Sequence, residues 1–407
     1  MKMLLTLAWR NLWRNSKRTL ITISSVLFAV FLAIIFTSME EGSYNRMIET
    51  MVKYSTGYIQ IQDVLYEEEP SIDHAMLFDD EIQALLKKYD EKISLHVPRL
   101  QSFALVATEN NTRGSMVTGI DPDLEVQLND LENNVVEGEF LSRGDKGLLI
   151  AEGLARILNV SIGDTLVLLG QGFQGSIAAG KYHVQGIADL KIPDLNDNSI
   201  YMTLETAQWF YAAEERLTAL IIMPENPKQT TQLANELLSE IDREWYNVIT
   251  WKELLKDLLA LMQLDLAGTM AMMIILYIVI AFGLFGTILM MLIERKKEFI
   301  LLFSLGMKRS RLAFICFIES MVITTSGIVA GIVVAIPVVI YFKHFPIRLS
   351  GDMAEAITEY GFEPVIPFST DLSIFYTQGL YVFLLAFLIG LFPVYKVFRL
   401  KITDEKH

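Results

Sequence analysis

The chain has 407 residues, 52% of them apolar, and a mean hydropathy of +0.37, which is too apolar for an ordinary soluble protein of this length. Its 48 Asp and Glu against 34 Lys and Arg give a net charge of −14, so no nucleic-acid partner is expected. A single cysteine, Cys316, excludes an intrachain disulfide.

Residues 1–18 read as an interfacial helix on the cytoplasmic leaflet. Trp9 and Trp13 are four apart beside Leu5 and Leu12, with Arg10, Arg14 and Lys17 elsewhere, and aromatic rings of this kind favour the headgroup layer. An ordinary basic n-region with incidental tryptophans is the bland alternative. Residues 19–38 then form an apolar run of the ~20 residues that a helix needs to cross a ~30 Å hydrocarbon core. A signal peptide is the competing reading, but the run is long and no A-x-A-like site follows it.

Residues 39–268 are mostly polar and are predicted to form one large α+β domain of two subdomains, one inserted in the other. Met39–Tyr54 and Trp251–Leu266 read as stalk helices at its two ends, the second running unbroken into the next span. Strands are expected at Gly57–Gln62, Ser102–Thr108, Arg113–Gly119, Thr165–Leu169, Tyr182–Ile187 and Ser199–Leu204, from alternation or short apolar runs between turn residues. Helices are expected at Asp79–Tyr89, Glu152–Leu158, Leu204–Ala213 and Gln229–Glu244. Three more spans follow at 269–293, 312–341 and 372–395, separated by a basic loop (294–311) and a short loop (342–371), with a tail at 396–407.

The basic residues orient this arrangement. The stretches before the first span, between the second and third and after the fourth hold 15 of the 34 Lys and Arg, and the positive-inside rule puts all three in the cytoplasm. Both termini are then inside, and the 39–268 domain is outside, carrying the acidic excess.

Several patterns resemble chemical sites without meeting their requirements. Gly175 to Tyr182 nearly fits a phosphate loop, but Tyr182 replaces the Mg²⁺-binding hydroxyl and a strand follows where a helix should. Gly170–Gly180 instead reads as a glycine-rich hairpin or mobile loop, with Gly170, Gln171, Phe173 and Gly175 as candidates for partner contact. Asp194, Asn196, Asn198 and Glu205 have EF-hand spacing but lack the glycine at the turn and the flanking helices. The five histidines form no metal-ligand pair or triad, and no catalytic residue is expected.

Glu319 lies about two turns inside the third span, where an ionisable group is a functional candidate by default. Pairing with Arg311 or with a basic group of a neighbouring helix is the structural alternative. Gly327 and Gly331 form a G-x-x-x-G face, with Gly283 and Gly286 on the second span; they pack helices either within the chain or across a dimer. The sharpest pattern is Glu294–Met307. Its charged start, its apolar stripe (Phe299, Leu302, Phe303) and its stop at Gly306 describe a short amphipathic helix suited to a groove on a cytoplasmic partner.

The stretch ERKKEFILLFSLGMKRSRLAFICFIESMVITTSGIVAGIV resembles the signature of FtsX/MacB-type ABC transporter permeases, and PVYKVFRLKITDEKH resembles their C-terminal ending. MVTGIDPDLE, VVEGEFLSRGDKGLLIAEGLARILNVSIGDTLVL and YHVQGI are similar to the periplasmic core of MacB and of the lipoprotein-releasing permeases LolC and LolE. The resemblance implies an inner-membrane permease that pairs with a second copy or paralogue and docks a separate ABC ATPase through Glu294, Arg295, Glu298, Phe299, Leu302, Phe303 and Gly306. ATP and Mg²⁺ would be bound by that partner, and this chain would bind no cofactor. Motion of the spans and stalks would work the outer domain mechanically, in contact with membrane lipid and with a periplasmic chaperone or adaptor. Lipoprotein release is the leading implication. Efflux or peptide export, and FtsX-like signalling to a cell-wall hydrolase, are the alternatives. Only about 18 residues precede the first span, so no fused ATP-binding domain is expected there.

Overall fold

The computed structural model describes residues 16–109, 111–190, 192–354 and 364–399, and the chain divides into two units. The interfacial helix with Trp9 and Trp13 and the tail beyond Arg399 lie outside the described residues. The first unit comprises 1–45, 261–348 and 365–407. Its long helices are α1 (Ser16–Met51), α9 (Lys256–Glu294), α11 (Arg309–His344) and α12 (Leu372–Arg399), each with a window apolar enough to cross a membrane. In hydrocarbon a backbone must satisfy its own hydrogen bonds, so these segments can only be helical. Val26, Val30 and Ile34 of α1 pack with Ile280 and Leu284 of α9, Ile328 and Ala335 of α11 and Val382 of α12.

At 1.5 Å per residue, α1 and α9, with 36 and 39 residues, extend roughly 20–30 Å beyond what a bilayer core requires. The stalk expected over Trp251–Leu266 is not unbroken, however. A capping box between Thr250 and Glu253 starts a separate turn, α8 (Trp251–Leu254), and Leu255 leaves helical geometry at ψ 23° before α9 begins. The competing cap wins because Thr250 emerges from a strand, and its N–H donates to Glu253 at 2.7 Å.

The second unit, 46–260 with 349–364, is the α+β domain. Its strands are β1 (Ile59–Asp63), β2 (Met76–Leu77), β3 (Ile93–Ala107), β4 (Thr112–Ile120), β5 (Val135–Gly138), β6 (Leu148–Ala151), β7 (Thr165–Gln171), β8 (Ile177–Ala188), β9 (Ser199–Thr203), β10 (Arg216–Leu217), β11 (Ala219–Pro224) and β12 (Tyr246–Thr250). Helices α2 (Asp80–Lys88), α3 (Pro122–Asn129), α4 (Glu152–Leu158), α5 (Pro193–Asn198), α6 (Leu204–Phe210) and α7 (Thr230–Leu238) lie between them. Ten strands form one sheet in the order β12-β1-β11-β3-β4-β9-β6-β8-β5, and β7 pairs with both β3 and β8. That double pairing closes β3, β4, β9, β6, β8 and β7 into a barrel.

Two cores result. Leu100, Val106, Val117, Leu148, Leu168, Val184 and Ile200 fill the barrel. Ile59, Ile61, Leu220 and Ile222 meet Ile82 and Leu86 of α2 and Leu233 and Leu237 of α7 in a helix-covered sheet. The barrel is inserted between β1 and β11, and the 15-residue β3 belongs to both halves.

A buried ion pair sits in this domain. Arg99 donates to Glu125 through Nε at 3.2 Å and Nη2 at 2.5 Å, and through Nη1 to the Ser55 carbonyl at 3.0 Å. Ser55 lies in the π-helical turn Val52–Thr56 that follows α1, so Arg99 fastens that turn to β3 and α3. Gly57 then reverses the chain at φ 63°, where a Cβ would come within 2.2 Å of Ile221.

Candidate functional site

The loop joining α9 to α11 is built around α10 (Lys296–Ser304). Leu305 continues the helical pattern to Leu301, and Gly306 then turns left-handed at φ 89° so that Met307 N–H reaches back to Leu302 O at 3.0 Å. That 6→1 bond with glycine at C′ is a Schellman stop, which ends α10 and allows α11 to start at Arg309.

The structure turns α10 the other way round from the sequence expectation. Phe299 is only 4% exposed and packs on Leu292 of α9, on Leu312, Ala313 and Cys316 of α11 and on Val397 of α12, with Leu302 half-buried against the same cluster. The Phe299–Leu302 stripe therefore holds the loop to its own helices and is not a contact surface. Leu301 and Leu305, 62% and 76% exposed, face outward with Glu294, Glu298 and Gly306. The side chain of Phe303 lies outside the described residues.

Arg295 is likewise turned inward. It is 6% exposed and gives both Glu319 oxygens a hydrogen bond from Nη1, at 2.9 and 2.7 Å, with Glu319 itself 1% exposed. Of the two partners the sequence allowed, the structure has the basic group from the neighbouring helix, Arg295, and not Arg311, because the turn after α9 brings it back onto α11. Nearby, Arg309 donates to the Phe398 carbonyl at 3.0 Å and ties the start of α11 to the end of α12. The loop is thus fastened to three membrane helices while one face stays open.

Gly327 and Gly331 face α1. A Cβ on Gly327 would lie 2.7 Å from Val26 Cβ, and one on Gly331 would lie 2.9 Å from the Leu27 carbonyl, so this G-x-x-x-G face is occupied within the chain. Gly283 and Gly286 meet nothing within 4 Å. Gly327→Leu is expected to force α1 and α11 apart and cost about 1–3 kcal/mol, as overpacking does. Thermal unfolding in detergent checks this, with Gly286→Leu as the variant that should leave the midpoint unchanged. A polar cluster that the sequence reading missed joins three spans: Tyr277 of α9 donates to Gln378 of α12, which donates to Thr37 of α1 at 3.1 Å. A glutamine in an apolar run was the available signal.

In the α+β domain, Gly170 and Gln171 are strand residues of β7, and the hairpin tip is only 172–176. Asp73 accepts from Gln174 N–H at 2.6 Å and from Gln171 at 3.0 Å, while Arg216 stacks 4.1 Å above the Phe173 ring. Gln171 and Phe173 thus make contacts within the domain, while Gln171 and Gly175 stay exposed. The hairpin's outward group is Ile177, with Phe103, Leu105 and Leu169 exposed on neighbouring strands. The segment resembling a phosphate loop runs into β8, and the segment with EF-hand spacing spans the short helix α5, β9 and the start of α6. Among the described residues, no group of three or more His, Cys, Asp or Glu could hold a metal ion.

Residues 19–240 match the MacB-like periplasmic core domain, and residues 270–402 match the FtsX-like permease C-terminal family. The lipoprotein-releasing system transmembrane protein LolC of Neisseria meningitidis is 22% identical over 246 residues, 58% of this chain and 59% of LolC. The chain thus aligns with less than two thirds of that relative. An uncharacterized ABC transporter permease of Methanocaldococcus jannaschii, MJ1507, is 20% identical over 82% of both chains. Among solved structures, the extracellular domain of the noncanonic ABC-type transporter YknZ from Gram-positive bacteria is 12% identical, with a TM-score of 0.33, covering 48% of this chain and all of that one. The periplasmic region of MacB from Actinobacillus actinomycetemcomitans is 12% identical at a TM-score of 0.34, covering 51% and 95%.

Proposed function

Starting from a chain that belongs to the family with the MacB-like periplasmic core domain, an ABC transporter permease of the FtsX/MacB type, we propose that it couples a separate ATPase to lipoprotein release from the inner membrane. The ATPase docks on the open face of α10, and a second copy or paralogue completes the permease. The observation that supports this is the two-sidedness of α10: Phe299 and Arg295 lock it to the bundle, while Leu301 and Leu305 remain outside. An apolar pair on a rigid knob offers a partner groove both affinity and a point of leverage. The similarity to LolC supports lipoprotein cargo.

Replacing Leu301 and Leu305 together with Asp is expected to reduce ATPase co-purification at least tenfold while the permease still inserts, because a charge seated in an apolar groove without a partner costs several kcal/mol. Unchanged stoichiometry would remove the docking assignment. Phe299→Asp should instead lower the yield of folded permease.

Orientation is tested with thiols. Cys316 is buried, so the wild-type background is unreactive. Glu132→Cys, an exposed position, should be labelled by an impermeant reagent from outside the inner membrane, and Lys308→Cys only after permeabilisation. The opposite pattern reverses the proposed topology.

A further inference from the structure

An open cavity of about 500 Å³ lies in the α+β domain between the 144–146 turn, β8 and α6. Lys181 and His183 alternate outward along β8, and Tyr182 between them turns inward, its ring edge-on to Phe210 at 5.9 Å. Tyr182 is 7% exposed, and its hydroxyl, buried on the inner side of β8, has no hydrogen-bond partner among the described residues. Gly180 is what lets the phenol lie there, because a Cβ would come within 2.6 Å of its ring.

The charges around the cavity run against those of the segment. Residues 40–268 hold 38 Asp and Glu against 17 Lys and Arg. Many of the bases are spent in ion pairs, such as Lys88 with Glu240, Lys92 with Glu236 and Lys256 with Glu67. Among the described residues, the side chains of Lys146 and Lys181 make neither an ion pair nor a hydrogen bond. The adjacent Asp145 does not compete for them. It accepts from Gln185 at 2.7 Å and from Ser142 N–H at 2.8 Å, and these bonds, the Gln185 one foremost, hold its carboxyl below the usual carboxylate range.

Two lysines are donors suited to a phosphate. From α6 the cavity receives Glu205 and Trp209, four residues and so one turn apart. A carboxylate beside an exposed indole face is the pair that holds an ammonium, by charge and by cation–π attraction. A volume near 500 Å³ falls within the ordinary range for small-molecule sites.

The geometry points to a binding site for a phosphate ester that also carries an ammonium group, with the phosphate on Lys146 and Lys181 and the ammonium on Glu205 and Trp209. The phosphoethanolamine group is the simplest such ligand, either free as a soluble ester or as the headgroup of a lipid.

The test uses the full-length chain in phosphatidylglycerol nanodiscs, titrated calorimetrically with glycerophosphoethanolamine, glycerol phosphate and ethanolamine. The complete ester should bind saturably and about tenfold more tightly than either fragment. Lys181→Gln and Glu205→Gln, both at exposed positions that carry no packing, should each weaken it about tenfold, the effect of losing one charged contact. A lower apparent affinity in phosphatidylethanolamine nanodiscs would identify the bilayer as the source of the ligand; an unchanged affinity would identify a soluble ester. Absence of saturable binding at millimolar ester overturns the site, as does binding that neither substitution alters. No ATPase takes part, so failure here leaves the transport reading untouched.

Discussion

Glu319→Leu is expected to lower the stability of the membrane unit by about 3–5 kcal/mol, the typical penalty for leaving one member of a buried ion pair in place. Arg295 would remain 6% exposed without the two short bonds, 2.9 and 2.7 Å, that now offset its desolvation. Arg295→Met should cost a similar amount for the mirror reason. The double replacement should recover most of the loss, since an apolar pair of similar volume is often neutral or better. Arg295→Lys should fall between, because an ammonium keeps the charge but is the more strongly hydrated ion and costs more to bury. Thermal unfolding of the four variants in one detergent gives the cycle. If the double variant is no more stable than either single one, the pair is not what holds α9 to α11 at this end.

Leu264→Pro should uncouple ATP hydrolysis from transport. Leu264 lies nine residues into α9 and is 72% exposed, so proline there acts on the backbone alone: it removes a hydrogen bond and clashes with the preceding turn, at about 3 kcal/mol or more. Leu258→Pro is the contrast. Because α9 begins at Lys256, Leu258 falls in the first turn, where proline is tolerated. In reconstituted complex with the ATPase, both variants should hydrolyse ATP, and only Leu264→Pro should fail to release cargo. Release by Leu264→Pro at the wild-type ratio to hydrolysis would show that α9 does not transmit the motion.

The membrane helices were legible because their signal is local: about 20 consecutive apolar residues admit one conformation in lipid. The helix Glu152–Leu158 and the start of α2 at Asp79 were equally local, the latter marked by a carboxylate that caps Glu81 and Ile82 N–H. Pairing between distant strands was not. β11 and β12 carried no clear alternation, and the first half of β3 was hidden by Pro98, which the sheet accommodates opposite Leu220. Closure of the barrel depends on β7 reaching both β3 and β8, a register that no window of sequence contains. At the loop, the amphipathic pattern of α10 was readable, but which face met the bundle was not. Phe299 could equally have faced a partner until α11 and α12 were seen to cover it. Which basic group would pair with Glu319, Arg311 or one from a neighbouring helix, was not readable, because that choice is made by the turn after α9.

β1 and β12 run antiparallel with Ile59 opposite Thr250, and Trp251 N–H donates to the Tyr58 carbonyl at 3.0 Å. The chain therefore enters and leaves this sheet at one point, some 190 residues apart in sequence but neighbours in space. A domain with paired ends is a cassette: it can be spliced between two helices, exchanged or enlarged without altering the path of the host chain. Descent of such permeases could then proceed along two separate clocks, with the bundle changing slowly under the demands of lipid and ATPase while the cassette is free to be refitted.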